Sequence, residues 1–188
     1  MFARTPRLTL RPGWPEDAAA VTQALAHESV VMNLSRVPWP YMPADARDWL
    51  AIPRGSTDVT LLIHAHDGPA PGRSCPRLIG TISLDRERGD APELGYWLTP
   101  SAWGRGYATE AGRAVLHMAR HSLGLKRLRA RHFVDNPASG RVLGKLGFHE
   151  TGRGTTFSRA RGREVASVML ACDLEDARIG DQALSLAA

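Results

Sequence analysis

The chain has 188 residues, 43% of them hydrophobic and 23% charged, the proportions of an ordinary folded domain with a full core. No apolar run is long enough to cross a bilayer, and the first eleven residues lack the apolar stretch of a secretory signal. A formal net charge of +5 is compatible with nucleic acid, a membrane surface or an anionic small ligand.

The arginines are dispersed, crowding only in residues 126–131 and 159–163. Solvated surface explains both clusters best, a phosphate-rich cofactor ranks second and a polynucleotide third, so neither a specific nucleic acid nor a membrane is expected as partner. Cys75 and Cys172 are far apart in sequence and have no metal or redox spacing, which fits a cytoplasmic protein without structural disulfides.

Residues 7–11 alternate as a strand that stops at Pro12. Pro15 suits the first turn of a helix, Glu16 and Asp17 complement its dipole, and Ala18, Val21 and Leu25 share one side. Residues 29–43 read as irregular and residues 44–52 as a second short helix. Trp39 and Tyr41 are candidates for lining an acceptor cleft. The alternative is that they, like Trp49, pack the helix pair. Residues 58–66 form a strand with Val59, Leu61, Ile63 and Ala65 on one face, and His64 and His66 on the other read as surface residues. A loop rich in glycine and proline follows. Residues 77–85 and 93–99 then continue an antiparallel meander across a polar turn at 86–92.

Pro100 ends that run. Next comes Trp103-Gly104-Arg105-Gly106-Tyr107-Ala108-Thr109-Glu110-Ala111, which opens a helix extending to residue 123. Two glycines let the backbone approach a ligand closely, and the first helical N–H groups have no internal acceptor. Together with the helix dipole they suit a phosphate or pyrophosphate, although a plain tight loop before a helix has the same local pattern. Glu110, Arg113, His117, Arg120 and His121 fall opposite the apolar stripe. His117 and His121 have the spacing of helical zinc ligands but lack the accompanying glutamate. They read as solvated histidines, and no metal is expected.

Residues 128–134 form another strand. Asn136 fits an N-cap and Pro137 the first position of a short helix that Gly147 closes. Residues 148–157 and 165–172 read as a final hairpin. The order is strand, two helices, three strands, helix, strand, helix, two strands. This predicts an α+β domain, a mixed sheet with helices packed on it, over residues 1–173, with 174–188 as a C-terminal tail. It is not the regular alternation of a dinucleotide-binding domain, and the Gly-Lys-Ser/Thr of a nucleoside triphosphate loop is missing.

Three motifs stand in fixed order: Glu93-Leu94-Gly95-Tyr96-Trp97-Leu98, then the glycine turn, then Asn136-Pro137-Ala138-Ser139 with Leu143-Gly144-Lys145-Leu146-Gly147-Phe148. Together they resemble the GNAT superfamily of acyl-CoA-dependent N-acetyltransferases, and within it the branch of the RimJ and RimL ribosomal-protein N-terminal acetyltransferases. The resemblance implies a mostly antiparallel central sheet flanked by helices, with the fourth and fifth predicted strands splayed apart. It implies acetyl-CoA as co-substrate, its pyrophosphate on backbone N–H groups of Gly104, Arg105, Gly106, Tyr107, Ala108 and Thr109. Trp103 stands where the family's phosphate motif usually starts with Gln or Arg. Pantetheine is expected along the strand ending at Leu98, with Asn136 bonding its arm. Dimers are common in similar proteins, so a homodimer is a candidate assembly.

The implied reaction needs a base for the amine, a donor for the oxyanion and an acid for the thiolate. Glu93 is the leading base, directly or through a water. A backbone N–H near Leu98 is the oxyanion donor, and Ser139 is the leading acid. The alternatives are an ordinary strand-end carboxylate and a serine bonding local backbone. The function implied is acetyl transfer to a primary amine, either a protein N-terminus or a small molecule. A non-catalytic acyl-CoA sensor is the competing reading.

Overall fold

Near-continuous buried runs in the central strands give the sheet two covered faces. The computed structural model describes residues 2–55, 58–66, 76–85 and 91–175. Its strands are β1 (Ala3–Arg4), β2 (Leu8–Arg11), β3 (Val59–Ala65), β4 (Arg77–Asp85), β5 (Glu93–Leu98), β6 (Arg127–Phe133), β7 (His149–Ser158) and β8 (Arg163–Asp173). They form one sheet in the order β1-β2-β3-β4-β5-β6-β8-β7. Every neighbouring pair is antiparallel except β5 and β6, which run parallel.

That parallel pair is joined only at Glu93 with Arg129 and Leu94 with Ala130. Beyond Leu94 the two strands part, and the sheet is split at its centre. The expected splay is therefore present. It lies between the fifth and sixth strands because β1, too short to show a period, precedes the first strand read from sequence.

The α-helices among the described residues are α1 (Ala18–Leu25), α2 (Glu28–Val31), α3 (Pro43–Ala51), α4 (Tyr107–His121) and α5 (Pro137–Lys145). Leu61, Ile63, Ile82, Leu94 and Leu98 pack with α4 and α5 on one face, around Val115, Leu116 and Met118. Truncating a buried side chain of this size to alanine costs about 2–5 kcal/mol. On the other face Leu62 packs with Val21, Leu25, Tyr41 and Ala46 of the α1–α3 layer. The close seating of α4 on the loop after α5 depends on Gly112, where a Cβ would stand 2.5 Å from Leu146 Cδ1.

Several sequence expectations need correction. Pro15–Asp17 is a 3-10 turn leading into α1. The segment read as irregular from residue 29 includes most of α2, whose single turn buries Val30 and Val31 and is too short to display a period. His64 is not a surface residue. It is only 8% exposed, between β2 and β4, with Nε2 3.4 Å from Arg11 Nη2. Sheet position decides its burial, since a central strand has both faces covered.

His121 is exposed but His117 is half-buried, because Val115, Leu116, Met118 and Ala119 leave α4 only a narrow wet strip. The two rings stack at 4.4 Å. Among the described residues no cluster of three His, Cys, Asp or Glu side chains is placed to hold a metal. No described helix is long and apolar enough to cross a membrane. The expectations for Cys75, for most of the loop before β4, for most of the polar turn after it and for nearly all of the tail lie outside the described residues.

Candidate active site

The split sheet opens a cleft of about 1310 Å³ that runs from α4 and α5 to the α1–α3 layer. Backbone alternation sets its inner edge. Thr99 N–H donates to Ile79 C=O, and Arg129 N–H donates to Pro92 C=O. Odd-numbered residues of β5 therefore pair with β4, and even-numbered ones face β6. Past Leu94 there is no partner strand, so the main-chain groups of Tyr96 and Leu98 point into the gap. This edge has the hydrogen-bonding groups to hold an extended amide-bearing chain. Leu98 C=O is already engaged by Trp103 Nε1–H at 2.8 Å, which ties the glycine turn to the strand end. The Leu98 N–H is not used by that bond.

Gly104 and Gly106 have φ of +73° and +80°, the left-handed region that suits glycine. Gly106 is the N-cap of α4, and its C=O accepts the first helical bond from Glu110 N–H at 3.0 Å. The N–H groups of Tyr107, Ala108 and Thr109 thus have no acceptor within the helix. Leu98, Trp103, Gly104, Gly106, Tyr107, Ala108, Thr109 and Asn136 all line the cleft, whereas Arg105 lies outside the lining. Asn136 acts as the N-cap of α5, its Oδ1 accepting from Ser139 N–H at 3.2 Å. The side-chain oxygen expected to bond the cofactor arm is thereby shared with α5.

Strand parity separates the two candidate proton-transfer groups. Asp85 and Glu93 are direct partners across β4 and β5, on the face that carries Leu62 and the α1–α3 layer. Tyr96 lies on the opposite face, beside α5, and its hydroxyl meets Ser139 Oγ at 2.9 Å. Glu93 is ion-paired, with Oε2 2.6 Å from Arg131 Nη2, and Asp85 pairs with Arg36 at 2.5 Å.

Burial pushes the Tyr96 phenol up to about 12, against a smaller lowering by Ser139. Tyr96 therefore keeps its proton at neutral pH. Sequence reasoning missed Tyr96, although its alternation with Leu94 and Leu98 places it on the α5 face. By period Glu110 falls opposite the apolar stripe of α4. Glu110 instead binds Arg7 and Thr5 of the turn between β1 and β2, a pairing across more than a hundred positions that no local pattern announces. Tyr41 borders the cleft and is buried, its phenol also pushed up to about 12 by burial, whereas Trp39 lies outside the lining.

A split sheet, a helix N-terminus whose first N–H groups lack acceptors and a strand edge facing the gap suit an acyl-CoA, with its pyrophosphate and amide-bearing arm. Comparison with known proteins agrees: the family described as "Acetyltransferase (GNAT) domain" matches residues 7–149. The chain belongs to the GNAT acetyltransferases and is an acetyl-CoA-dependent enzyme. It is 30% identical over 162 residues to the uncharacterized N-acetyltransferase p20 of Bacillus licheniformis, covering 85% of this chain and 88% of that one. Over 73 residues it is 38% identical to the ribosomal-protein-serine acetyltransferase of Escherichia coli, 38% of this chain and 41% of that one, consistent with the RimJ/RimL-like branch. A GNAT-family acetyltransferase structure from Bacillus anthracis superposes with a TM-score of 0.77 at 22% identity, covering 94% of this chain and all of that one.

Proposed function

We propose that this enzyme transfers the acetyl group of acetyl-CoA directly to a primary amine, on a protein N-terminus or a small molecule, within a ternary complex in the cytoplasm. The observation that carries the reading is the distribution of groups across the split sheet. Glu93 stands on the acceptor-side face, the Tyr96–Ser139 hydroxyl pair stands on the α5 face, and the gap joins them. Direct attack needs the amine and the thioester held together with a base near the amine and a proton donor near the sulfur, and this arrangement offers both.

In this account the pyrophosphate takes the N–H groups of Gly104 to Thr109, and pantetheine runs along the Tyr96–Leu98 edge. Glu93, with Arg131 fixing one of its oxygens, receives the amine proton directly or through a water. The amine nitrogen bonds the thioester carbon while the Leu98 N–H supports the oxyanion. The carbon–sulfur bond then breaks, and the thiolate takes a proton from the Ser139 hydroxyl as Tyr96 passes its own proton to Ser139 and is reprotonated from solvent.

A thiol-release assay with acetyl-CoA and a panel of amines, including ribosomal-protein N-terminal peptides, tests the reading. Acceptor-dependent CoA release is expected. Tight acetyl-CoA binding with no release from any amine would favour an acyl-CoA sensor instead.

A further inference from the structure

The first turn of α4 carries a carboxylate where an anion-binding helix should least tolerate one. Glu110 sits four positions from the N-cap, at the end of the helix whose partial positive charge attracts phosphate. An uncompensated negative charge there opposes a pyrophosphate bound on the same turn. The chain answers this charge from the other end of the domain.

Arg7, at the entry to β2, places Nε 2.7 Å from Glu110 Oε2 and Nη2 2.6 Å from the same oxygen. Its main-chain N–H and the Thr5 hydroxyl take Oε1, at 3.0 Å and 2.6 Å. Both carboxylate oxygens are thus occupied, and the side chain of Glu110 is only 17% exposed, so the pairing is not a loose surface contact.

The same guanidinium reaches further. Arg7 Nη1 donates to Arg105 C=O at 2.9 Å. Across a trans peptide the C=O of Arg105 and the N–H of Gly106 point in opposite directions. Holding that carbonyl on the Arg7 side turns the Gly106 N–H away from Arg7, and Gly106 borders the cleft. The guanidinium also stacks 4.8 Å over the Tyr107 ring, with Arg105 at 4.9 Å on the same ring, which fixes the first helical residue.

We infer that Arg7 is a positioning residue for the donor, neutralising Glu110 and orienting the Arg105–Gly106 peptide so that the turn accepts the pyrophosphate of acetyl-CoA. The inference rests on the donor site proposed above. The bland alternative is that Arg7 merely ties β2 to α4. Two donors separate the possibilities: acetyl-CoA, and S-acetylpantetheine, which lacks the pyrophosphate.

Arg7→Ala should weaken acetyl-CoA binding by on the order of tenfold, the size an uncovered charge within several ångströms produces. The KM for S-acetylpantetheine should not follow it. In Arg7→Ala/Glu110→Gln the glutamine oxygen still serves Thr5 and the Arg7 N–H, its amide faces the vacated space, and most of the acetyl-CoA affinity should return. Unchanged acetyl-CoA affinity in Arg7→Ala would overturn the inference. So would a double variant as weak as the single one, or equal losses for both donors, which a structural tie predicts. A wild-type enzyme that holds acetyl-CoA no better than S-acetylpantetheine would overturn the donor site itself, and this inference with it.

Discussion

Gly106→Ala isolates what the left-handed turn contributes to donor binding. Gly106 has φ +80° and ψ 2°, and an L-residue pays about 1–2 kcal/mol to stay there. Space is not the obstacle, because the new Cβ would meet only Arg7 Nη2, at an ordinary 3.5 Å. Two outcomes share that free energy. If the turn keeps its shape, the fold loses the full amount. If the turn relaxes, the N–H groups of residues 106–109 lose their common direction and acetyl-CoA affinity falls by roughly five- to thirtyfold, the same energy expressed as binding.

Gly112→Ala is the matched control on the same helix. Its Cβ would strike Leu146 Cδ1 at 2.5 Å and Cδ2 at 2.9 Å, an overpacking cost of about 1–3 kcal/mol. The better helix propensity of alanine offsets about 1 kcal/mol of it. That change should appear in stability, with acetyl-CoA affinity within about twofold of wild type. Urea unfolding and calorimetric titration of acetyl-CoA read the two quantities separately. A Gly106→Ala enzyme as stable as wild type and binding acetyl-CoA as tightly would refute the reasoning.

Burial, and then the positive charge of Arg11, hold His64 below its ordinary 6.5. Its contribution to stability is therefore complete above 6.5 and is lost as pH falls from there through the lower folded value, at up to about 1.4 kcal/mol per pH unit. Asp17, lowered chiefly by its hydrogen bond from Arg11, loses its contribution only below 3.8 and does not confuse that window. His64→Leu should flatten the slope seen by urea unfolding below pH 6.5, and parallel slopes would show that other groups carry it. Tyr96→Phe should lower kcat about tenfold with little change in acetyl-CoA KM, and Ser139→Ala/Tyr96→Phe should be little worse than the poorer single variant. Additive losses would mean that the two hydroxyls act independently. Glu93→Gln should depress turnover while leaving acetyl-CoA affinity nearly unchanged. Turnover equal to wild type across the pH range would remove Glu93 as the base.

The turn at the start of α4 was legible in the sequence because its pattern is local. Gly104, Gly106 and the start of α4 lie within a few residues, and Asn136-Pro137 announces a capped helix by itself. The surroundings of Glu93 were not, because they are assembled from distant parts. Arg36 comes from the segment after α2 to meet Asp85 on β4, and Arg131 crosses from β6 to Glu93 on β5. Tyr96 fell between the two cases. Its strand was recognised, but its bond to Ser139 depends on how α5 packs, which spacing does not encode. His64 and Glu110 show the same limit from the polar side, since both look solvent-facing by period yet are covered by elements far away in sequence.

The position of the thioester decides the mechanism. A crystal structure with acetyl-CoA bound tests it most directly. The pyrophosphate is expected on the N–H groups of the Gly104–Thr109 turn, pantetheine along the Tyr96–Leu98 edge, and the thioester sulfur within hydrogen-bonding reach of the Ser139 hydroxyl, with its carbonyl open toward Glu93. A donor seated elsewhere, or one whose thioester is turned away from the gap between β5 and β6, would contradict it.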